Sequence, residues 1–276
     1  MSNLKAIGFS VLKSRSILGK ILRLFIRKLG LGKYSIRLLL NIVPRPHYGY
    51  CLWQAANLAK KLGLSQISVI EFGVAGGNGL INLEFHASKI KAQLGVEVEI
   101  YGFDTGFGLP KPTDYRDLPY HWKEGFYKVE LDKLRAKLSK SQLIIGDVEK
   151  TLDSFIRDFS PAPIGAIMFD LDYYSSTKNA MKLLSISPEN FLPRVFCYFD
   201  DVLGGEIELY GEHTGERLAI SEFNDRSKDV KVSIPYYLRT DTSQEWHQQI
   251  WICHFFKHSK YNNFVSVEHQ QAPIKD

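Results

Sequence analysis

Residues 69–80 read VIEFGVAGGNGL and place one acidic residue near the end of an apolar run, followed by four glycines in seven positions. Residues 67–72 have the short, β-branched composition of a buried strand, and the glycines after them favour a tight turn into a helix that begins at Asn78 or Gly79. In an open α/β sheet, ligands bind beyond the carboxyl ends of the strands, where glycine lets a ligand approach the backbone. The stretch therefore predicts the first strand of an α/β sheet with a nucleotide-type turn after it.

Strand-like and helix-like segments alternate along the rest of the chain. The strand-like runs lie at 67–72, 96–103, 143–145, 164–169, 195–199, 230–237 and 250–256. The helical patterns lie at 80–94, 131–138, 152–159, 177–184 and 216–223. This alternation predicts an α/β fold with a mostly parallel sheet and helices on both faces. The last two runs have no clear helix between them, so we expect them to pair antiparallel at one edge.

The N-terminal part of the chain is strongly basic. The first 70 residues contain twelve Lys or Arg and no Asp or Glu, whereas the remainder contains 23 basic and 30 acidic residues. Leu18, Leu22, Phe25 and Leu29 recur at helical spacing, with basic residues on the opposite side. We therefore predict a basic amphipathic helical arm at 1–46, ending near two prolines, and one domain at 47–276. Such an arm can contact an anionic membrane, pack on the domain or join a second subunit as a homo-oligomer.

Composition also limits the location of the protein. The sequence has no apolar run of the ~18 to 20 residues that a membrane-spanning helix needs, and it fits a secretory signal poorly. Its three cysteines form no CxxC pair, and the histidines form no HExxH motif. We expect a cytoplasmic protein, with peripheral contact at the inner membrane face as an option. In a eukaryotic host, the acid-free start would also fit a mitochondrial presequence.

Single acidic residues follow the next two predicted strands. Asp104 lies in YGFDTGFGLP at 101–110, and Asp147 lies in LIIGDVEKTL at 143–152. A carboxylate at such a tip can accept hydrogen bonds from ribose hydroxyls, although turn and cap residues are common there as well. Together with Glu71, these acids suit a nucleoside that carries a cationic or amine group. The turn does not match the dinucleotide pattern GxGxxG, because position 75 is alanine.

Two acidic pairs follow the fourth and fifth predicted strands. Asp170 and Asp172 lie in IMFDLDYYSST at 167–177, and Asp200 and Asp201 lie in CYFDDV at 197–202. Four neighbouring carboxylates repel one another unless they are protonated or share a cation. All-oxygen ligands favour Mg²⁺, or Mn²⁺ or Ca²⁺. The alternative is that some of these acids cap helices.

A long segment at 106–127, rich in Pro, Tyr, Asp and Lys, predicts a loop that covers a binding site. His121 in this loop is a candidate auxiliary base or acceptor contact, and Trp122 beside it is a candidate stacking surface. A solvent-facing histidine and a packing tryptophan are the alternatives.

Several of these motifs resemble known enzymes. EFGVAGGNG, GFDTGFGLP and GDV resemble motifs of class I S-adenosylmethionine (SAM)-dependent methyltransferases. FDTGFGLP, FDLDYYSST and YFDDV resemble small-molecule O-methyltransferases of the macrocin O-methyltransferase type. The resemblance covers residues 67–205 and implies a Rossmann-like fold with a seven-stranded sheet and a reversed last strand.

The resemblance also implies residue roles. The methionine part of SAM would be surrounded by Glu71, Gly73, Gly76 and Gly77. Asp104 would bind the ribose and Asp147, with its neighbours, the adenine. A divalent metal would be held by Asp172, Asp200 and Asp201, with Asp170 in support.

We therefore expect metal-assisted O-methylation of a small hydroxylated acceptor, such as a sugar or a glycosylated metabolite. A metal ion lowers the pKa of a bound hydroxyl, and Asp172 is the candidate that receives its proton. A cephalosporin hydroxylase-like enzyme and a non-catalytic, membrane-associated module stay open as alternatives. Nucleic acid is not expected, because the body of the protein is acidic and the Asn/Asp-Pro-Pro-aromatic motif is absent.

Overall fold

The sheet has the strand order β3-β2-β1-β4-β5-β7-β6, in a computed structural model that describes residues 17–241 and 243–266. The strands are β1 (Gln66–Phe72), β2 (Glu97–Asp104), β3 (Gln142–Ile145), β4 (Ile164–Phe169), β5 (Phe191–Phe199), β6 (Val230–Ser233) and β7 (Ile250–Phe255). Neighbours from β3 to β5 pair parallel, and β7 runs antiparallel to both β5 and β6. This topology confirms the predicted Rossmann-like class I methyltransferase fold. The strand order reverses between β1 and β4, which is where such sheets bind ligands.

Helices cover both faces of the sheet. The helices of the described residues are α1 (Ile17–Leu29), α2 (Tyr34–Leu39), α3 (Pro46–Lys61), α4 (Asn78–Leu94), α5 (Leu131–Lys137), α6 (Val148–Phe159), α7 (Tyr174–Ala180), α8 (Gly215–Arg226) and α9 (Tyr236–Arg239). Successive strand residues point to opposite faces. Ile67 and Val69 of β1 therefore pack with α3 and α4, whereas Ile70 and Phe72 pack with α6, α7 and α8.

Helix α3 is absent from the sequence-based predictions. Its first turn begins at Pro46, where the missing N–H of proline costs nothing. Small side chains such as Ala55, Ala56 and Ala59 let the helix lie close to the sheet and to α4, and all three are fully buried. Because the buried side is wide, the helix lacks the clear polar stripe by which amphipathic helices are recognised.

The predicted arm divides into two parts. Residues 1–16 lie outside the described residues, and α1 is helical as expected. From Tyr34 onward the chain packs on the domain, since the Tyr34 hydroxyl lies 2.8 Å from Nδ1 of the buried His86 and Leu38 is also buried. In α1, by contrast, Leu24 and Phe25 are more than 60% exposed. No helix in the described ranges is long and apolar enough to cross a membrane.

The end of the sixth strand was predicted wrongly. The strand expected at 230–237 ends at Ser233, and Pro235 and the short helix α9 follow it. Proline has no N–H to donate to a strand ladder, so the pairing with β7 stops before it. The antiparallel pairing of the last two strands is confirmed.

Candidate active site

The carboxyl ends of the central strands open into one cavity of about 870 Å³. Its walls include Gly73 after β1, Asp104 after β2, Asp170 after β4 and Asp200 after β5. The volume lies in the range that binds small molecules and cofactors. Acids that are distant in sequence therefore meet at one rim of the sheet.

Residues 73–77, here called the glycine turn, have a backbone that requires glycine. Gly73 has φ +83°, and a Cβ there would lie 1.7 Å from the carbonyl oxygen of Asp170. Gly77 has φ +82°, and a Cβ there would lie 2.1 Å from Leu134. Gly73 borders the cavity, whereas Gly76 and Gly77 do not. The turn is thus shaped by close packing against the segment that follows β4.

Glu71 lies beneath the glycine turn and does not border the cavity. Its Oε1 accepts a 2.8 Å hydrogen bond from the Tyr48 hydroxyl, while its buried Oε2 has no hydrogen-bond partner in the described part of the chain. A Cβ at Gly79 would lie 1.5 Å from Oε1, so α4 can start here only with glycine. Burial raises the pKa of Glu71 to about 7. Glu71 supports the turn and the start of α4 from below.

Asp104 joins the end of β2 to the glycine turn. Its Oδ2 accepts hydrogen bonds from the N–H groups of Val74 and Ala75, both at 2.9 Å, and its Oδ1 accepts one from Gly106 at 2.7 Å. The carboxylate borders the cavity and keeps one lone pair on Oδ1 beyond these bonds.

Asp147 both borders the cavity and caps α6. Its Oδ1 accepts a 3.0 Å hydrogen bond from the Glu149 N–H in the first turn of that helix. A cap of this kind satisfies one of the unpaired N–H groups at a helix start. Asp147 is therefore a helix cap, which was the alternative to a ligand-binding role, and it also borders the cavity.

The carboxylates of Asp170, Asp200 and Asp201 form an acid cluster. One oxygen from each lies within 4.8 Å of the others, the spacing of potential ligands to one cation. Asp172 is outside this set, although the resemblance gives it the ligand role and leaves Asp170 in support. The backbone of Asp172 has φ +59°, and its N–H donates a 2.8 Å hydrogen bond to Oδ2 of Asp201. The loops after β4 and β5 are thereby fastened together.

Burial and mutual repulsion raise the pKa values of Asp170, Asp172 and Asp201. The pKa of Asp172 is raised to about 8 and that of Asp201 to about 7, first by burial and then by neighbouring carboxylates. The same causes raise the pKa of Asp170 well above its usual value. An all-oxygen donor set with this excess of negative charge fits a hard divalent cation.

A further acid, Glu216, was missed by the sequence analysis. It is fully buried in α8 and accepts a 3.0 Å hydrogen bond from the Asp201 N–H. Burial, followed by the charge of Asp201, raises its pKa well above the usual value. Its place in the first turn of an ordinary-looking helix gives no signal in the sequence.

The segment at 106–127, called the lid below, crosses the cavity and is anchored by Asp117. This fully buried carboxylate accepts hydrogen bonds from the N–H and hydroxyl of Thr113 and from the N–H and hydroxyl of Ser175 at the start of α7. Trp122 is buried beside Leu118 and also borders the cavity. The loop expected over the binding site is therefore present, with a helical turn only at Tyr115–Asp117.

His121 does not border the cavity. Its Nε2 lies 3.6 Å from Oε1 of Glu208, so the imidazole faces the loop after β5. His121 therefore contacts the loop after β5 and does not lie in the cavity with the acid cluster.

Two cavity-lining groups, Arg45 and Tyr210, and the neighbouring Tyr198 were not predicted from the sequence. Arg45 borders the cavity from the start of α3. Tyr210 donates a 2.9 Å hydrogen bond to Oδ1 of Asp201, and Tyr198 donates one to Asp200. Tyr198 could have been found from the sequence, because it lies two residues before Asp200 and residues two apart in a strand share a face. Arg45 carries no such signal, since its helix was not recognised.

Comparisons with known proteins give remote similarities. No protein-family model matches the chain, and no curated protein matches it. Among solved structures, the calicheamicin methyltransferase CalS11 is similar at 19% identity and a TM-score of 0.48, over 76% of this chain and 86% of that one. The O-methyltransferase TomG from Streptomyces achromogenes is similar at 14% identity and a TM-score of 0.41, over 84% and 87% of the two chains. The plantazolicin methyltransferase BamL is similar at 10% identity and a TM-score of 0.40, over 90% and 94%.

Proposed function

We propose that the protein is a SAM-dependent O-methyltransferase that uses a divalent metal ion and acts on a small hydroxylated acceptor, such as a sugar or a glycosylated metabolite. The observation that carries this proposal is the single cavity that joins the glycine turn and Asp104 to the acid cluster. A methyl donor and an activated hydroxyl must meet in one space, and this cavity supplies both halves of the site.

The charge of the cavity supports the cofactor assignment. Seven acidic and two basic side chains border it within the described ranges, which suits a cationic nucleoside better than a polyphosphate. Gly73 and Asp104 would hold the nucleoside, with Asp147 at the far end. When bound, SAM supplies an electrophilic methyl group to an oxygen nucleophile.

The acid cluster supports the metal assignment. Asp170, Asp200 and Asp201 would hold Mg²⁺, Mn²⁺ or Ca²⁺, and such an ion lowers the pKa of a hydroxyl near it. Asp172, whose N–H bonds to Asp201 beside the proposed metal, would accept the proton of the acceptor hydroxyl. The resemblance instead implies Asp172 as the third metal ligand and leaves Asp170 in support.

The lid supports a small acceptor. Trp122, Tyr127 and Phe107 border the cavity from this segment, and the exposed side chain of Phe107 can stack on a sugar or aromatic ring. The anchor at Asp117 holds this segment against the start of α7. The three aromatic side chains would exclude water and orient the acceptor hydroxyl.

Calorimetry with SAM, with and without Mg²⁺, separates this proposal from the alternatives. Binding that Mg²⁺ strengthens, followed by methylation in a panel of hydroxylated sugars and glycosides analysed by mass spectrometry, supports a methyltransferase. Binding without methylation, together with hydroxylated products, supports a cephalosporin hydroxylase-like enzyme. The absence of SAM binding would favour a non-catalytic module.

We also propose that α1 contacts an anionic membrane surface from the cytoplasmic side. Its exposed apolar residues Leu24, Phe25 and Leu29 lie in the acid-free N-terminal part of the chain. Vesicles with one quarter phosphatidylglycerol should co-sediment with the protein at low salt, and Phe25→Ser should reduce that binding. Concentration-dependent dimers without vesicle binding would instead show that α1 joins a second copy.

A further inference from the structure

Arg45 is one of two cationic side chains that border the cavity in the described part of the chain, and the other, Lys111, is an exposed residue of the lid. Arg45 forms no ion pair within 4 Å among the described residues, although acids surround the cavity. Burial lowers the pKa of its guanidinium, but neighbouring acidic groups, Glu71 and Asp170 among them, outweigh burial and raise it overall. Arg45 is therefore a permanent positive charge on the side of the cavity where β1 and β4 end.

The fold holds Arg45 in a fixed position. Its backbone is left-handed, with φ +37°, and its carbonyl oxygen accepts the N–H groups of Tyr48 and Gly49 at the start of α3. A non-glycine residue in this conformation is uncommon and costs free energy that the surroundings must offset. The guanidinium carbon lies 5.0 Å from the centre of the Tyr48 ring, and Tyr48 is itself fixed by its hydrogen bond to Glu71. One chain of contacts thus links Arg45 to the glycine turn.

The strand order sets the direction of a bound nucleoside. Asp147, Asp104, Gly73 and Asp170 follow β3, β2, β1 and β4, which are consecutive neighbours in the sheet. A nucleoside held at β3 and β2 extends its substituent towards β1 and β4, where Arg45 stands. A carboxylate on that substituent would meet repulsion from the acids that line the cavity, and the Arg45 guanidinium would offset it at this end of the row.

We propose that Arg45 binds the carboxylate of the amino-acid half of the cofactor. This inference rests on the proposed function and adds a binding residue for one defined group of the ligand. The charge of Arg45 would offset the repulsion between that carboxylate and Asp170, which acts on Arg45 from the same side of the cavity.

The test compares SAM with decarboxylated SAM, which lacks only the carboxylate, by calorimetry on the full chain. Wild-type protein should bind SAM at least about tenfold more tightly than decarboxylated SAM. This ratio of affinities corresponds to the net free energy of a hydrogen bond between charged groups. Arg45→Gln should weaken SAM binding by about tenfold to a hundredfold and change the affinity for decarboxylated SAM less than about twofold. Arg45→Lys should give an intermediate loss, because it keeps the charge and loses the planar fork. Lys61→Gln, a control at the exposed far end of α3 and outside the cavity, should change neither affinity.

The outcomes separate this inference from the function. Equal wild-type affinity for the two ligands would overturn it, and this comparison needs no variant to fold. An equal loss for both ligands in Arg45→Gln would assign the residue a structural role, and an unchanged SAM affinity would remove it from the site. Failure of the wild-type protein to bind either ligand would overturn the proposed function itself.

Discussion

The Asp117 carboxylate accepts hydrogen bonds from both the N–H of Ser175, at 2.8 Å, and its hydroxyl, at 2.9 Å. Ser175 lies in the first turn of α7, directly after the segment that carries Asp170 and Asp172. The lid and the acid cluster are therefore connected through one buried carboxylate. Changes at Asp117 should affect both the stability of the fold and the position of the lid.

Asp117→Ala should lower the free energy of unfolding by about 2 to 3 kcal/mol, because buried donors of Thr113 and Ser175 lose their acceptor. Urea denaturation measures this change. Glu124→Gln, an exposed acid in the same segment, should change it by less than about 0.5 kcal/mol. Equal effects at the two positions would show that Asp117 does not anchor the lid.

Gly73→Ala should destabilise the protein by about 3 kcal/mol or more, since the new Cβ would lie 1.7 Å from the backbone oxygen of Asp170. Gly95→Ala is the matched control: it also has positive φ, +74°, but nothing lies within 4 Å of the new atom. That variant should cost only about 1 to 2 kcal/mol of backbone strain. Similar denaturation midpoints for the two variants would contradict the close packing of the glycine turn.

The raised pKa of Glu71 gives a pH dependence with a definite sign. Because its folded pKa of about 7 exceeds the ordinary value of about 4.3, the folded state keeps a proton that the unfolded state loses. The contribution to stability is complete below about pH 4 and is lost as the pH rises through 7. Glu71→Gln should therefore gain on the order of 2 kcal/mol relative to wild type between pH 5 and pH 8. A constant difference across that range, measured by denaturation, would contradict the raised pKa.

Variants of the acid cluster distinguish metal ligands from the base. Asp170→Asn should weaken Mn²⁺ binding by at least about tenfold, because one charged ligand of three is lost. Asp147→Asn, outside the cluster, should leave Mn²⁺ affinity unchanged. Asp172→Asn should keep the metal and lose turnover, because the variant has no carboxylate to accept the proton. Mn²⁺ loss in Asp172→Asn with retention in Asp170→Asn would favour the ligand set implied by the resemblance.

Much of the sheet could be predicted because buried strands have a short apolar signature and their carboxyl ends meet at one edge. The sequence could not show which of Asp170 and Asp172 belongs to the acid cluster. Residues two apart in an extended chain point to the same side, and only the left-handed backbone at Asp172 separates the two side chains. Glu71 was placed at the cofactor, yet Ile67 and Val69 share its face and pack on α3 and α4. Because alternate residues of a strand point to the same face, the sequence already indicated that Glu71 is buried on the side of α3 and α4. Arg45 could not be found from the sequence, because the helix that presents it has no clear polar stripe.

The most direct test is a crystal structure of the protein soaked with S-adenosylhomocysteine and Mn²⁺, with anomalous data to locate the metal. We expect the nucleoside along the glycine turn with its ribose at Asp104, and one anomalous peak between Asp170, Asp200 and Asp201. A nucleoside bound elsewhere, or a metal peak remote from these three carboxylates in a crystal that holds both ligands, would contradict the proposed site.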